Sequence, residues 1–377
     1  MGHAAAKSLL DRLSRLYHIE QLDYSRDKAQ YEAFLARNHS GMWQPKFPEW
    51  REWIYHDYRS KDCTDDQSRF AIYNLLRNDK EIAASVGFIY TPVAISGERS
   101  DLYFYSGILA DDKALGAGSA LLSMTASQLN FSNLGVLGYH RELGVLYDEL
   151  NILPVVPLYS AFRYLRSSPA SVSKFTSGKK VHSLSRLIAP GLPLFSSTRS
   201  SWHARSRSSP GRAAQFNDFE RFIQLVSNWS PPDDTLALSM NRDFIHWRFL
   251  ERPSINYSVV GWANGQQLAW FVFRIFDSNG YYLTPTVRII DFGGDIDLVD
   301  AVIPKLVQYL RAEFNCHLLY FPVITPQWLP VLKAHGFITR FLEDARLRLD
   351  PSLKSDLLNY HITAAWSDVD YQVIAEE

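Results

Sequence analysis

The sequence predicts an α/β protein of the α+β kind, with a mixed sheet and one structural unit used twice. Three observations predict it. Three β-branched and aromatic segments follow one another across short turns, then give way to strand, helix and strand. The same element order returns about 185 residues later. A glycine loop, Lys113-Ala-Leu-Gly116-Ala117-Gly118-Ser119, joins the third strand to an apolar helix. At 377 residues the chain is long enough for two domains.

Residues 1–29 form an N-terminal segment, in which Leu9, Leu10, Leu13 and Leu16 stand at helical spacing. They predict a short amphipathic helix over Met1 to Glu20. Its charges exclude a signal peptide. Tyr31 to Arg59 is patterned as helix, broken near Pro45 and Pro48, with Trp43, Trp50, Trp53 and Tyr55 clustered. Arg69 to Leu76, Glu81 to Tyr90 and Asp101 to Leu109 read as an antiparallel meander. Helix from Ala120 to Leu129, strand from Leu134 to Tyr139, helix from Leu143 to Leu150 and strand from Val155 to Tyr164 complete a domain over 30–165.

The second domain, 215–350, repeats that order. Helices run over Phe219 to Val226 and Met240 to Glu251. Strands Tyr257 to Ala263 and Leu268 to Phe276 flank Asn264-Gly265, a hairpin signal. Strand Val287 to Phe292, helix Val299 to Phe314, strand His317 to Val323, helix Pro326 to His335 and strand Ile338 to Leu349 follow. Gly107 then falls against Gly293, and residues 351–377 are left as a tail.

Between the domains, 166–214 is a basic, Ser-rich linker. From Asn151 to Asn217 there are ten Lys and Arg and no Asp or Glu. The rest of the chain therefore carries −11, against a net charge of −1. Such a stretch is either a solvated linker or a basic lining for a phosphorylated ligand. The near-neutral whole offers no strong field to nucleic acid or membrane. No run of about 20 apolar residues exists to span a bilayer. Two distant cysteines, Cys63 and Cys316, predict a reducing, cytoplasmic compartment and neither a disulfide framework nor a zinc site.

The glycine loop suits a phosphate. Glycines let the backbone turn and approach a ligand, and the first amides of the helix point outward toward an anion. Two familiar phosphate loops are excluded. The dinucleotide fingerprint wants a small residue where this chain has Leu121, and an acid where it has Asn130 to Gly135. A P-loop ending in Gly178-Lys179-Lys180 would need glycine at Ser173. Asp291-Phe292-Gly293 with His140-Arg141-Glu142 echoes a protein kinase, but Glu142 stands where that chemistry needs Asp.

Lys113-x-x-Gly116-x-Gly118, opening a helix after the third meander strand, resembles the Arg/Gln-x-x-Gly-x-Gly/Ala signature of the GNAT N-acyltransferase superfamily, with Lys for the usual Arg or Gln. Tyr147 on a short helix resembles that family's tyrosine. Asn151-Ile152 replaces the Gly-Phe that usually follows, and Asn accepts a left-handed cap. The second copy keeps Lys333-x-x-Gly336-Phe337. It has Leu332 opposite Tyr147, and Asp291 to Asp295 where the phosphate loop belongs, so it looks like a non-catalytic duplicate.

Tandem GNAT-like copies resemble bacterial N-acetyltransferases of nucleotide-linked amino sugars. That resemblance implies acetyl-CoA (coenzyme A) as co-substrate, no metal, and a small-molecule acceptor, an amino sugar, held between the copies. Tandem copies also resemble the aminoacyl transferases of peptidoglycan assembly, which use charged tRNA. A silent binding protein is the third class. For the site, the first resemblance implies backbone contacts to the pantetheine arm from Ser106, Gly107, Ile108 and Leu109. It implies pyrophosphate contacts from Lys113, Leu115, Gly116, Ala117, Gly118 and Ser119. Tyr147 would protonate the leaving thiolate. His140, at the end of a central strand, is the natural base for the amine, with Asp101, Tyr105 and Glu142 as competitors. Arg242, His246 and Trp247 would meet the sugar nucleotide, alongside Trp43, Trp50 and Arg248. Each of these also fits plain packing.

Overall fold

The computed structural model describes residues 15–38, 53–55, 71–77, 81–95, 98–114, 116–129, 131–137, 143–166, 213–253, 255–265, 267–276, 285–354 and 359–366. The first half contains strand β1 (Tyr17–Gln21), helix α1 (Tyr24–Asn38), strands β2 (Ile72–Arg77), β3 (Ile82–Ile95) and β4 (Glu98–Ala110), helix α2 (Ala117–Gln128), strand β5 (Leu134–Val136), helix α3 (Gly144–Glu149) and strand β6 (Leu153–Tyr164). The second half contains β7 (Ala214–Phe216), α4 (Phe219–Val226), β8 (Thr235–Leu238), α5 (Arg242–Ile245), β9 (Ser258–Asn264), β10 (Gln267–Phe276), β11 (Thr286–Gly294), α6 (Ile296–Glu313), β12 (Leu318–Ile324), α7 (Leu329–Ala334), β13 (Ile338–Arg348) and β14 (Asn359–Tyr360).

Local chemistry explains most of these boundaries. Asp218 caps α4 by accepting from the Arg221 amide at 2.7 Å, and Asn241 caps α5 from the Phe244 amide at 2.8 Å. Asn151 takes φ 59°, and the Ile152 amide returns to the Tyr147 carbonyl at 2.8 Å. Gly336 takes φ 76°, and the Phe337 amide returns to Leu332 at 3.1 Å. The two short helices thus end in the same left-handed cap, 185 residues apart.

Some boundaries differ from the sequence expectation. The end of the expected first helix is strand β1, antiparallel to β2 with Tyr17 opposite Arg77; the segment 17–21 alternates with the period of a strand. The helix expected over Tyr31 to Arg59 starts earlier, as α1 from Tyr24; most of the rest of that range lies outside the described residues. The helix expected over Met240 to Glu251 is one α turn followed by a π-helical turn, His246–Leu250. In the hairpin, Asn264 still pairs with Gln267, and Gly265, at φ 61°, is the first loop residue.

The strands form one mixed sheet in the order β1-β2-β3-β4-β5-β13-β6-β12-β11-β10-β9-β7, with β8 and β14 attached at the side. The order is a mirror: β5 matches β12, β4 matches β11, β3 matches β10. At its centre the last strand of each half crosses over. β13 pairs with β5, and β6 pairs with β12, so each half's final strand completes the other half's sheet. The exchange also carries arginines across. Arg348 donates to the Ala126 and Phe131 carbonyls at the end of α2, at 3.0 and 3.2 Å. Arg163 donates to the His335 carbonyl after α7, at 2.7 Å. A cation at a helix C-terminus meets the negative end of its dipole.

Three large apolar cores result. One lies between α2 and the β2–β5 face. One lies between α6 and the β9–β12 face. The largest covers the opposite face and spans both halves. The aromatic residues Trp262, Trp270, Phe271 and Phe273 of β9 and β10 are all buried in these cores. Neighbouring residues of β10 point to opposite faces, and both faces are packed.

Candidate active site

The site begins with a strand that loses its neighbour. β4 pairs with β3 along its length, but with the parallel strand β5 only at Tyr103–Leu134 and Phe104–Gly135. Past Phe104 the two diverge, and among the described residues no strand covers that side of β4. A row of backbone amides and carbonyls is therefore offered to a ligand. Gly87 faces Ser106 and Ser85 faces Leu109, so Val86 alone opposes Gly107 and Ile108. This is a β-bulge with glycine at φ 57°, and a bulge bends its strand away from the ladder.

Tyr55 pins the bulge. Its hydroxyl lies 3.3 Å from Ser106 Oγ, and its carbonyl accepts from the Ala71 amide at 2.9 Å. A Cβ at Gly87 would overlap its ring, and a Cβ at Gly107 would overlap its hydroxyl. No sequence motif marks Tyr55; only the two small residues that receive it give a hint.

The loop after β4 is built by its own hydrogen bonds. Asp111 receives the Lys113 amide on its carboxylate and the Ala114 amide on its carbonyl, both at 2.9 Å. The Ala117 amide returns to Ala114 at 2.9 Å. Gly116 stands at the N-cap with φ 79°, where an L side chain is strained, and no side chain caps α2. Gly118 is different. Its φ is ordinary, and an added Cβ would make only a normal 3.5 Å contact with Ala110. Neither backbone nor packing demands glycine there. Room for something close to the backbone is the physical motive left. No acidic residue lies in the first turn of α2 to oppose an anion. Lys113, Gly116 and Ser119 are exposed, and Ala117 is buried as the helix anchor.

Tyr147 is 1% exposed and shares one core with Ala117, Leu121 and Tyr105, with Ile108 packed against it. The structure thus brings α3, α2 and β4 together. Leu109 packs on the opposite face, in the core that holds Tyr55, Trp53, Trp247, Phe104 and Trp366. Two competing bases drop out. Asp101 accepts from Tyr90 at 2.8 Å and lies five residues along β4 from Ser106, roughly 17 Å at strand rise. Burial pushes the Tyr105 hydroxyl up to about 12, and it is bonded to Thr125 at 3.2 Å. His140, Glu142, Leu115, Trp43, Trp50 and the segment 167–212 lie outside the described residues.

Among the acceptor candidates, Arg242 is exposed and His246 half-buried. Trp247 is buried, with its ring on Trp53 at 5.1 Å between centroids. Arg248, 1% exposed, donates to the Ala365 carbonyl at 3.2 Å. Both have packing roles.

The matching place in the second half is closed. β11 also diverges from β12, after Arg288–Tyr320, and also bulges, at Ile290. The bulges set Gly107 against Ile290, not Gly293. Here the edge is taken by the chain's own C-terminal stretch. His361 Nε2 donates to the Phe292 carbonyl at 2.6 Å, and the Trp328 indole donates to His361 Nδ1 at 2.8 Å. One ring nitrogen donates and the other accepts, so the imidazole is neutral; burial holds it down to about 4. Thr363 and Trp270 both donate to Asp291 at 2.7 Å. Burial pushes Asp291 up to about 6 despite those bonds. Residues 361–366 are thus a buried plug where the sequence suggests a tail. The phosphate loop is also missing. Residues 111–116 join β4 to α2, whereas Asp295 alone joins β11 to α6, with Asp297 in the first turn.

A mixed sheet with a bulged, diverging fourth strand and a glycine loop into a helix is the fold of the GCN5-related N-acetyltransferases. Solved structures bear this out at the level of fold. A GCN5-related N-acetyltransferase from Anabaena variabilis superposes with TM-score 0.57 and 8% identity, over 89% of this chain and 73% of that one. A protein of Enterococcus faecalis described as a probable N-acyltransferase gives 0.55 and 8%, over 89% and 72%. Eis1 of Mycobacterium abscessus gives 0.52 and 11%, over 89% and 74%. No protein-family model and no curated protein sequence matches the chain.

Proposed function

We propose that this chain is an N-acyltransferase that takes an acetyl group from acetyl-CoA and passes it to the amine of a small, nucleotide-linked amino sugar. The observation that carries this reading is the asymmetry of the two halves. Among the described residues, the first alone combines an uncovered β4 edge with a glycine loop and an acid-free helix start. In the second, the chain's own residues fill the edge and an acid closes the turn.

The residues divide the work as follows. The amides of Gly116, Gly118 and Ser119 and the Lys113 side chain hold the pyrophosphate, while the Ala117 amide closes the loop on Ala114. The β4 edge from Ser106 to Leu109 aligns the pantetheine arm and turns an amide toward the thioester carbonyl, where charge develops. The amine nitrogen bonds to the carbonyl carbon as the C–S bond breaks. Tyr147 supplies a proton to the departing thiolate, and His140 removes one from the amine. Arg242 and His246 face the acceptor, and Trp247 supports them from the core. The test is a panel of amines at fixed acetyl-CoA: free amino sugars, nucleotide-linked amino sugars, polyamines and a lysine peptide. Nucleotide-linked sugars should lead in kcat/KM by at least about tenfold, roughly 1.4 kcal/mol of transition-state binding. A winning lysine peptide would refute the acceptor class, and transfer only from charged tRNA would replace the donor.

A further inference from the structure

One face of α6 carries Pro304, Val307, Gln308, Arg311 and Ala312, at spacings of three and four residues. With Arg163 from the exchanged strand β6 they line an open cavity of about 400 Å³. That size suits a small metabolite. No acid lines it. Asp300, one turn before Pro304, is buried and committed to His335 at 2.9 Å. Arg166 lies beside the cavity, donating to Asn315 at 2.5 Å and to the Arg311 carbonyl at 3.1 Å.

These cations are incompletely used. Arg163 is 4% exposed, and among the described residues its Nε is buried without a partner; so are the Nε of Arg311 and the Nδ1 of His317. The mirror-related Arg348 spends both terminal nitrogens on backbone carbonyls, whereas Arg163 spends one. The Arg311 guanidinium has no hydrogen-bond partner among the described residues. Burial, then the neighbouring Arg311, pulls Arg163 down to about 10; burial, then Arg166, lowers both Arg311 and His317. Like charges held together around a hollow cost free energy that a bound anion recovers. Arg163 and Arg166 belong to the stretch 151–217, which has no Asp or Glu, so their own segment supplies no counter-charge.

We propose that Arg163, Arg166, Arg311 and Gln308 form a second anion site, apart from the donor loop, for a small phosphate-bearing molecule. Inorganic phosphate and glycerol phosphate are the probes, followed by thermal unfolding and calorimetry on the full chain. Sodium chloride at equal ionic strength is the control. Phosphate should raise Tm beyond chloride, and saturating coenzyme A should leave that increment in place. Arg311→Ala, at a half-buried and unpartnered side chain, should weaken phosphate at least about fivefold. Gln308→Glu supplies the missing negative charge, so it should raise Tm without phosphate and abolish the response. Phosphate no better than chloride, an unchanged Arg311→Ala, a Gln308→Glu protein of lower Tm, or loss of the increment with coenzyme A would each overturn the site. Vesicles of phosphatidylcholine with phosphatidic acid test the other source of this chemistry. Cosedimentation with them, in place of a response to the soluble probes, would overturn a soluble ligand.

Discussion

Trp53 and Trp247 hold each other by a reciprocal exchange. The Trp53 indole donates to the Trp247 carbonyl at 2.9 Å, and the Trp247 indole donates to the Trp53 carbonyl at 3.2 Å. Their rings stack at 5.1 Å with 23° between planes. The pair ties the segment that carries Tyr55, and hence the β4 bulge, to the π-helical turn of the second half. Phe substitution at either position keeps a ring and removes one bond. Each should cost about 1 kcal/mol, and a double-mutant cycle of urea unfolding should show coupling above about 0.5 kcal/mol. Strict additivity would mean that the two bonds do not act as one latch.

Donor binding should be confined to the first half. Calorimetry with acetyl-CoA should give one site per chain. Gly118→Asp should abolish it while the protein stays folded, because an added Cβ makes only a 3.5 Å contact. Two sites, or normal binding by Gly118→Asp, would remove the glycine loop from the donor site.

Phe104 should set the acyl length. The donor loop lies at the end of β4, so an arm running back along its edge delivers the acyl group toward Phe104–Gly135, where the strands meet. A Cβ at Gly135 would overlap the Phe104 ring, and Trp366 meets that ring edge-on at 5.9 Å. The wild type should use acetyl-CoA and reject octanoyl-CoA. Phe104→Leu should move the butyryl-to-acetyl ratio of kcat/KM upward by about tenfold. A ratio that stays put would show that the acyl group lies elsewhere.

Tyr147→Phe should separate chemistry from binding. As the acid at thiolate departure, its hydroxyl should change kcat by about 100-fold and acetyl-CoA affinity by less than about threefold. If kcat holds while chemistry limits turnover, Tyr147 is a packing residue of α3.

The plug should give opposed pH dependences. His361 sits at about 4 when folded and near 6.5 when unfolded, so its contribution is full above 6.5 and is lost as pH falls toward 4. Asp291, raised to about 6 from 3.8, does the reverse: stability falls as pH rises from 3.8 to 6. The two slopes nearly cancel between pH 4 and 6. His361→Gln should therefore gain stability relative to wild type as pH drops from 6 to 4, by about 1.4 kcal/mol per unit. Asp291→Asn should lose it at a similar rate. Urea midpoints at pH 4, 5 and 6 decide both; parallel curves would show that neither group is held as described.

Much of the fold was legible because the signals were local. The helix over Phe219 to Val226 emerged with both ends as expected, since Asp218 is an unambiguous cap before an apolar stripe. The π-helical turn was not legible, because Phe244 and Trp247, three apart, suit an α-helix equally well. In the site, the left-handed turns at Gly116 and Asn151 were readable from residue type alone. Tyr55 was not, because its place depends on a glycine 32 residues away in sequence and on another 52 away.

The sequence by itself determined the order of elements, their repetition and the single glycine loop. Periodicity, caps and turn residues act within a few positions along the chain, so they are written there. The tertiary structure alone decided which strand lies beside which. Alternating strands such as β6 and β13 accept any antiparallel neighbour of the right length, and the choice falls to packing on both faces at once. That choice exchanged the final strands and brought Arg163 to α6. Packing also turned residues 361–366 from a tail into the plug of the second half, because burying Ile362, Ala364, Ala365 and Trp366 required a groove that neither half possesses alone.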